Sequence, residues 1–373
     1  MVAMVLILSA LAAVQAASRT WFVNKVTGID RIDCGTTVAP CKTIGYTLKN
    51  KAAAGDTIKV AAGAYNESLT IDKNNLSLLG AGAATTSIVG VTATPVVSIP
   101  MGVVNATISG FTIRGGFDGI YLQQSSAKIQ NCTLQNNVNR GLYAAANSLV
   151  MLTSVVSKAN AYGLAFSANA TGGIYTSTLT QNTGDGLIVN YNAHAKLITC
   201  TVSYNQNGVS VFRESSVYLV GTKVSYNKVR GLNISSHAGA DLLGGNTISY
   251  NGPSTMVLYQ GGICLYNASQ ISIMTSSFSS VKDIIAYNNG PGIYVGDKSE
   301  LLLNSASVTQ NKLDGVRLAN DSSAQIGAGA SITYNKGYGI RCTDSAGDSK
   351  YNGAPGVNTG NTLGPTKCSK FNP

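Results

Sequence analysis

From Gly119 onward the chain repeats one pattern, a glycine followed by apolar, any residue, apolar. The anchors are Gly119, Gly141, Gly163, Gly186, Gly208, Gly231, Gly262, Gly292, Gly315 and Gly339, mostly 22–24 residues apart, with steps of 31 and 30 around Gly262. The next residue is always aliphatic, from Ile120, Leu142 and Leu164 through Ile293, Val316 and Ile340. Alternation with period two predicts a strand with one face in a core. Each repeat predicts two more short strands. One is of the type Ala127–Ile129, Ala195–Leu197, Val217–Leu219 and Ala324–Ile326; the other precedes an asparagine. Three strands in so few residues cannot bury a core of their own. Wound as one turn of a solenoid, each strand pairs with its equivalent in the next repeat, about 4.8 Å away. The pattern therefore predicts an all-β parallel β-solenoid of about 12–13 coils.

Asn137, Asn182, Asn205, Asn227, Asn251, Asn288, Asn311 and Asn335 each follow an apolar residue by three positions, and Asn160 reads as displaced by one. An amide both donates and accepts, so stacked copies can bond one another and the turn backbone. These asparagines are expected to be structural. Tyr204, Tyr226, Tyr250, Tyr287 and Tyr334 form a second column, expected to stack along the solenoid rather than offer sugar platforms.

With this asparagine column, the chain resembles the right-handed parallel β-helix proteins of the pectin lyase-like superfamily. The N-terminal stretch "CKTIGYTLKNKAAAGDTIKVAAGAYNESLTIDKNNLSLLGAGAATTSIVG" resembles their opening as well, and implies a short N-terminal capping helix with Ile44 and Leu48 on the first coil. Gly55–Asp56 would turn into the first strand. The expected organisation is a leader over 1–16, a cap over 17–54, the β-helix over 55–343 and a capping tail over 344–373. The superfamily includes lyases, hydrolases, esterases and epimerases of acidic polysaccharides, and silent binders. The "QDT", "DFIFG", "GHG", "RIK", "WxDH" and "DPHE" signatures of its familiar enzymes are absent. The resemblance thus speaks to fold and leaves chemistry open.

In such proteins substrate lies along the outward face of one sheet. The outward column of the Ala195–Leu197 type of strand reads Lys128, Val150, an unclear coil near Gly173, Lys196, Tyr218, Asp241, Ser272, Leu302 and Gln325. Preceding turns add His194, Arg213, Glu214 and His237, and later Asp297, Lys298 and Glu300. Lys196, Arg213, Tyr218 and His237 are the candidate substrate-binding residues. Lys196, Arg213, Glu214, His194, His237 and Asp241 are the catalytic candidates. A cation could neutralise a uronate carboxylate or abstract its α-proton, with Tyr218 or a histidine as acid. Glu214 and Asp241 could serve as a glycosidase pair, or hold calcium, although no acidic motif marks a metal site. A solvated turn remains the plain alternative. The two long repeats, with "GPSTMVLYQ" and "TSSFSSVKDIIAYN", are expected to wall a site near this cluster. The residues before the anchors, Asp118, Arg140, Asp185, Arg230 and Asp314, read as structural charge pairs.

Composition narrows the partners. Only 11% of residues are charged, yet the net charge is +10, which favours acidic partners. No basic cluster is dense enough for a nucleic-acid site. The first sixteen residues, apolar and ending Val14-Gln15-Ala16, read as a signal peptide, and no later stretch could span a bilayer. An exported protein, in the medium, at the cell surface or in the periplasm, is expected, as a monomer by default. Of seven cysteines, Cys34 and Cys41, and Cys342 and Cys368, read as disulfide staples at the two ends. Cys132, Cys200 and Cys264 read as buried thiols. Eight Asn-x-Ser/Thr sequons, Asn66, Asn105, Asn131 and Asn169 among them, read as compositional accidents, several in ladder positions. Polysaccharide binding along one sheet face is the leading functional expectation. A polysaccharide lyase or glycoside hydrolase, and a structural or adhesive surface protein, are the alternatives.

Overall fold

The structure, a computed structural model, describes residues 17–275, 279–343 and 349–368. Among them the chain forms a right-handed parallel β-helix of about 13 turns. Three parallel sheets run its length, with 14 strands in the first (sheet A), 12 in the second (sheet B) and 13 in the third (sheet C). One coil shows the plan: His194–Ile198 in sheet A, Thr201–Ser203 in sheet B and Asn207–Phe212 in sheet C. Ala195, Leu197, Val202, Val209 and Val211 point inward and are buried, each stacked on its equivalent above and below. The aliphatic columns thus merge into one core along the axis.

Each corner must satisfy backbone groups turned toward that core. At the corner between sheets B and C, ten asparagines form a ladder from Asn137 to Asn361. In a typical link, Asn227 Oδ1 accepts from Asn205 N at 3.0 Å and from Asn205 Nδ2 at 3.2 Å, and Asn205 Nδ2 also donates to Leu179 O at 3.0 Å. Asn160 is not displaced: it holds the same bonds as its neighbours. The sequence pattern slips there because Ser157, paired with Leu134 and Leu179, replaces the apolar residue. Its hydroxyl donates to Gly163 O at 2.9 Å, so the polar side chain is tolerated inside.

Two further ladders were hidden in the sequence. Between sheets C and A, serine hydroxyls accept from the preceding coil, as in Ala193 N to Ser215 Oγ at 3.1 Å and Ser269 N to Ser299 Oγ at 3.1 Å. Between sheets A and B the rungs change chemistry, from Cys200 to Thr222, Asn246 and Asp283. Cys132 and Cys200 are the buried thiols of that column. None of the eight sequon asparagines belongs to the asparagine ladder, contrary to expectation. Asn105, Asn131 and Asn169, for example, are exposed at left-handed corner positions of the other turns.

The ends are closed. Helix Ile44–Asn50 buries Ile44, Thr47 and Leu48, and the Glu67 carboxylate accepts from the Ile44 and Gly45 amides at its start. The first strand, Thr20–Val23, precedes this helix and pairs with Thr57–Val60, so Gly55–Asp56 turns into the second rung. The segment through the Cys34–Cys41 disulfide covers the open edge of Thr20–Val23, with Cys41 N bonded to Phe22 O at 2.9 Å. At the other end, Lys350–Gly353 and Thr366–Lys367 supply the last rungs of sheets A and C, tied by Cys342–Cys368. Among the described residues no helix is long and apolar enough to cross a membrane. The expected leader, residues 1–16, lies outside the described residues, as do 344–348 and 369–373 of the expected tail.

Candidate functional site

The shorter strands of sheet A present two outward positions and the five-residue ones three. The middle one runs Lys128, Met151, Gly173, Lys196, Tyr218, Asp241, Ser272, Leu302, Gln325, Asn352, rung on rung. Val150 does not belong to it. It pairs with Ala127 and is buried, because the strand begins one residue earlier than its hydrophobicity indicates. Lys196, Tyr218 and Asp241 are consecutive in this column, and His194 is level with Ser216 in the column beside it, with Nδ1 and Ser216 Oγ 2.7 Å apart.

Arg213, Glu214 and His237 occupy the corner leading into sheet A. The chain makes this turn with two successive left-handed residues per coil, Arg213 and Glu214 on one, Ser236 and His237 on the next. That backbone points their side chains to solvent, and all three are exposed. The Arg213 guanidinium lies over the Tyr191 ring, 4.3 Å from its centre. The candidates therefore split into a strand group and a corner group along one edge.

Three cavities lie on this face, of about 450, 300 and 750 Å³, and together they draw on thirteen of its fourteen strands, all but Ala106–Ser109. The first, at the N-terminal end, is lined by Phe22, Pro40, Lys59 and Leu79. The middle one holds Lys128, Lys196, Leu149, Met151 and Tyr175. The last holds Tyr218, Asp241, Gln270, Ser272, Glu300, Gln325 and Asn352. Asp241 and Ser272 face one another across a rung. Ser272 Oγ is buried with no hydrogen-bond partner, and half-burial pushes the Asp241 carboxyl above the usual carboxylate range. The carboxylate sharing that groove with Asp241 is Glu300, not Glu214. Sequence reading placed Glu300 in a turn; only the register between strands Gln270–Ile273 and Glu300–Leu303 puts it here. Glu214 sits on the corner and Asp241 in the groove, and the described residues contain no group of three metal-ligating side chains.

The long loops do not wall this cluster. Residues 252–260 connect sheet B to sheet C, and the described residues 274, 275 and 279–282 lie between a strand of sheet A and one of sheet B. They share coils with neighbouring candidates but occupy the other two corners. The 252–260 loop folds toward sheet C, where Tyr259 O accepts from Tyr266 Oη at 2.5 Å and Arg230 Nε at 3.4 Å. The corner charges are structural in form, as expected. Asp118 accepts from Arg140 N at 3.0 Å and lies 3.6 Å from its guanidinium. Four of the five tyrosines stack, Tyr204 to Tyr287, with centroids 5.0–5.3 Å apart and nearly parallel planes. Their faces cover each other, which leaves ring edges for solvent.

The match to known proteins agrees with this architecture. The sequence matches the family described as right handed beta helix region over residues 101–248 and 242–353. The chain belongs to that family. No curated protein sequence matches it. Its fold is similar to the Azotobacter vinelandii mannuronan C-5 epimerase AlgE6 A-module, at 15% identity and TM-score 0.56, over 85% of this chain and 91% of that one. It is also similar to pectate lyase Pel9A, at 12% identity and TM-score 0.51, over 72% and 77%. A third similar structure is the Dettilon tailspike protein, at 12% identity and TM-score 0.56, over 83% and 67%. At such identities the likeness is one of fold, of the pectin lyase-like type.

Proposed function

We propose that this β-helix protein is exported and binds a polysaccharide along the outward face of sheet A. One observation carries the reading: the three grooves together draw on thirteen of the fourteen strands of that sheet, all but Ala106–Ser109. A surface about 60 Å long with a repeat near 4.8 Å suits a linear polymer better than a compact ligand. Aromatic and aliphatic residues (Tyr175, Met151, Tyr218) would meet sugar faces, and Lys128, Lys196, Gln325 and Asn352 their polar groups. Two disulfides fit an extracellular setting, and several fold neighbours bear names of enzymes that act on polysaccharides. Arg213 and His237 would contact the polymer from the rim.

Catalysis is the second reading, favoured by Asp241. Its carboxyl is half-buried, holds its proton more tightly than usual, and has no hydrogen bond or ion pair to another described residue. It would act as general acid, beside Tyr218 and Glu300. Retardation in gels cast with a panel of polysaccharides tests binding, with product formation followed in the same samples. Retardation that is weakened in Lys196→Ala and Tyr218→Ala is expected. Retardation unchanged in both would remove the sheet A reading, and product formation that survives Asp241→Asn would remove the acid assignment.

A further inference from the structure

The unanswered positive charge near the C-terminal end lies on a different face. Tyr294, Arg317, Arg341 and Lys367 follow one another rung on rung in an outward column of sheet C, about 4.8 Å apart. Only one carboxylate answers them among the described residues. Asp314, 2% exposed, lies 3.5 Å from the Arg317 guanidinium through Oδ2 and accepts from Tyr338 N at 2.8 Å through Oδ1. Arg317 is itself 5% exposed, so that pair is internal.

Arg341 and Lys367 have no such partner among the described residues. The Arg341 Nε is buried and finds no hydrogen-bond acceptor, an arrangement that costs stability unless an acceptor arrives from outside. Its guanidinium carbon is 5.7 Å from the centre of the Tyr338 ring, and Lys367 Nζ is 5.8 Å from the same ring. Toward the middle of the molecule the aromatic row continues, with Tyr294 and Tyr266 centroids 5.4 Å apart. Two cations on adjacent rungs, without a carboxylate partner among the described residues and beside tyrosines, match a sugar that carries an oxyanion. A guanidinium presents a fork to a carboxylate or sulfate, and an aromatic ring packs against pyranose C–H groups. A nucleic-acid strand would need cations tracking further along the face, and the neighbouring rungs supply only Tyr294 and the internally paired Arg317.

We propose that the C-terminal part of sheet C is a second binding site, which takes the carboxylate or sulfate of an acidic saccharide between Arg341 and Lys367. It is separate from the sheet A grooves and stands or falls apart from them. The sequence reading missed it because these residues are far apart in the chain and only the register aligns them.

The test measures affinity of the full chain for polygalacturonate and for dextran sulfate, with neutral dextran and a single-stranded DNA oligomer as comparisons. Wild type is set against Arg341→Gln/Lys367→Gln and against Lys196→Gln of sheet A. The double variant is expected to lose about tenfold or more in affinity for an acidic polymer, while Lys196→Gln keeps the sheet C contribution. Should the double variant fail to fold, Lys367→Gln alone, at an exposed position, is read for a smaller loss in the same direction. An acidic polymer held equally well by wild type and variant overturns the site. A loss in Lys196→Gln with none in the Arg341→Gln/Lys367→Gln variant also overturns it, and assigns acid recognition to sheet A. Tighter binding of the DNA than of either acidic saccharide overturns the saccharide assignment.

Discussion

Two corners of the same coil make opposite use of similar backbone. Both need left-handed residues: Tyr226 before the asparagine at the corner between sheets B and C, and Ser236 with His237 at the corner leading into sheet A. At the first corner the inward residue is asparagine on ten coils, because its side-chain amide can accept two hydrogen bonds and donate two at once, as Asn227 does. At the second corner a small inward residue, Ser215 or Ala238, suffices, and the outward residues change from coil to coil: Tyr191, Arg213, Ser236. Repetition marks side chains bound to the backbone of the fold. Variation marks those released from it, and chemistry can be written only there.

The contrast is sharpened by breaking each corner in turn. Asn227→Ala should have the largest effect. It strands the Asn205 amide and removes bonds to Asn251 and Val202 in a fully buried place. Urea unfolding should show a loss on the order of 3 kcal/mol, and a loss near zero would deny the ladder its structural role.

The third corner supplies the next effect. Asp283 is fully buried, accepts from Asn246 and leaves Oδ2 without a hydrogen bond, and burial pushes its carboxyl up to about 6. An unfolded aspartate ionises near 4. The folded state therefore holds the proton longer, and stability falls as pH rises from about 4 to about 6, then levels. Asp283→Asn should remove most of that fall, on the order of 2 kcal/mol between pH 4 and pH 7, in unfolding curves collected across the range. An unchanged pH profile would mean that other groups set it.

Ser215→Ala should cost less, about 1 kcal/mol, for the bond from the Ala193 amide and the longer one to the Arg213 carbonyl. Arg213→Ala and His237→Ala should be the mildest, within about 0.5 kcal/mol, since both side chains are exposed at the corner. A large loss of stability from either would place the variable corner under the same rule as the asparagine corner.

The fold was legible because its determinants recur: the glycine-apolar pattern, the asparagines and the end cysteines each state the same winding. The serine ladder was not, since Ser215 and Ser269 look like any turn serine until the coils are stacked. The groove was half legible. Lys196, Tyr218 and Asp241 follow from strand alternation, but Met151 was lost to a one-residue slip and Glu300 to a turn assignment. The long loops were placed on the right coils and the wrong corners, because a repeat count gives the coil and says nothing of the side. Arg341 and Lys367 carry no local signal at all.

The central claim, that a polymer lies along sheet A, is tested by obstructing that face and its neighbour separately. Met151→Arg and Leu302→Arg place a bulky side chain in two of the grooves, while Thr201→Arg does the same on the outward face of sheet B. Affinity for a retarding polysaccharide is measured for each variant, after circular dichroism shows that the solenoid is intact. The account predicts a loss of about tenfold or more in the two sheet A variants and none in Thr201→Arg. Undiminished affinity in both sheet A variants would contradict it.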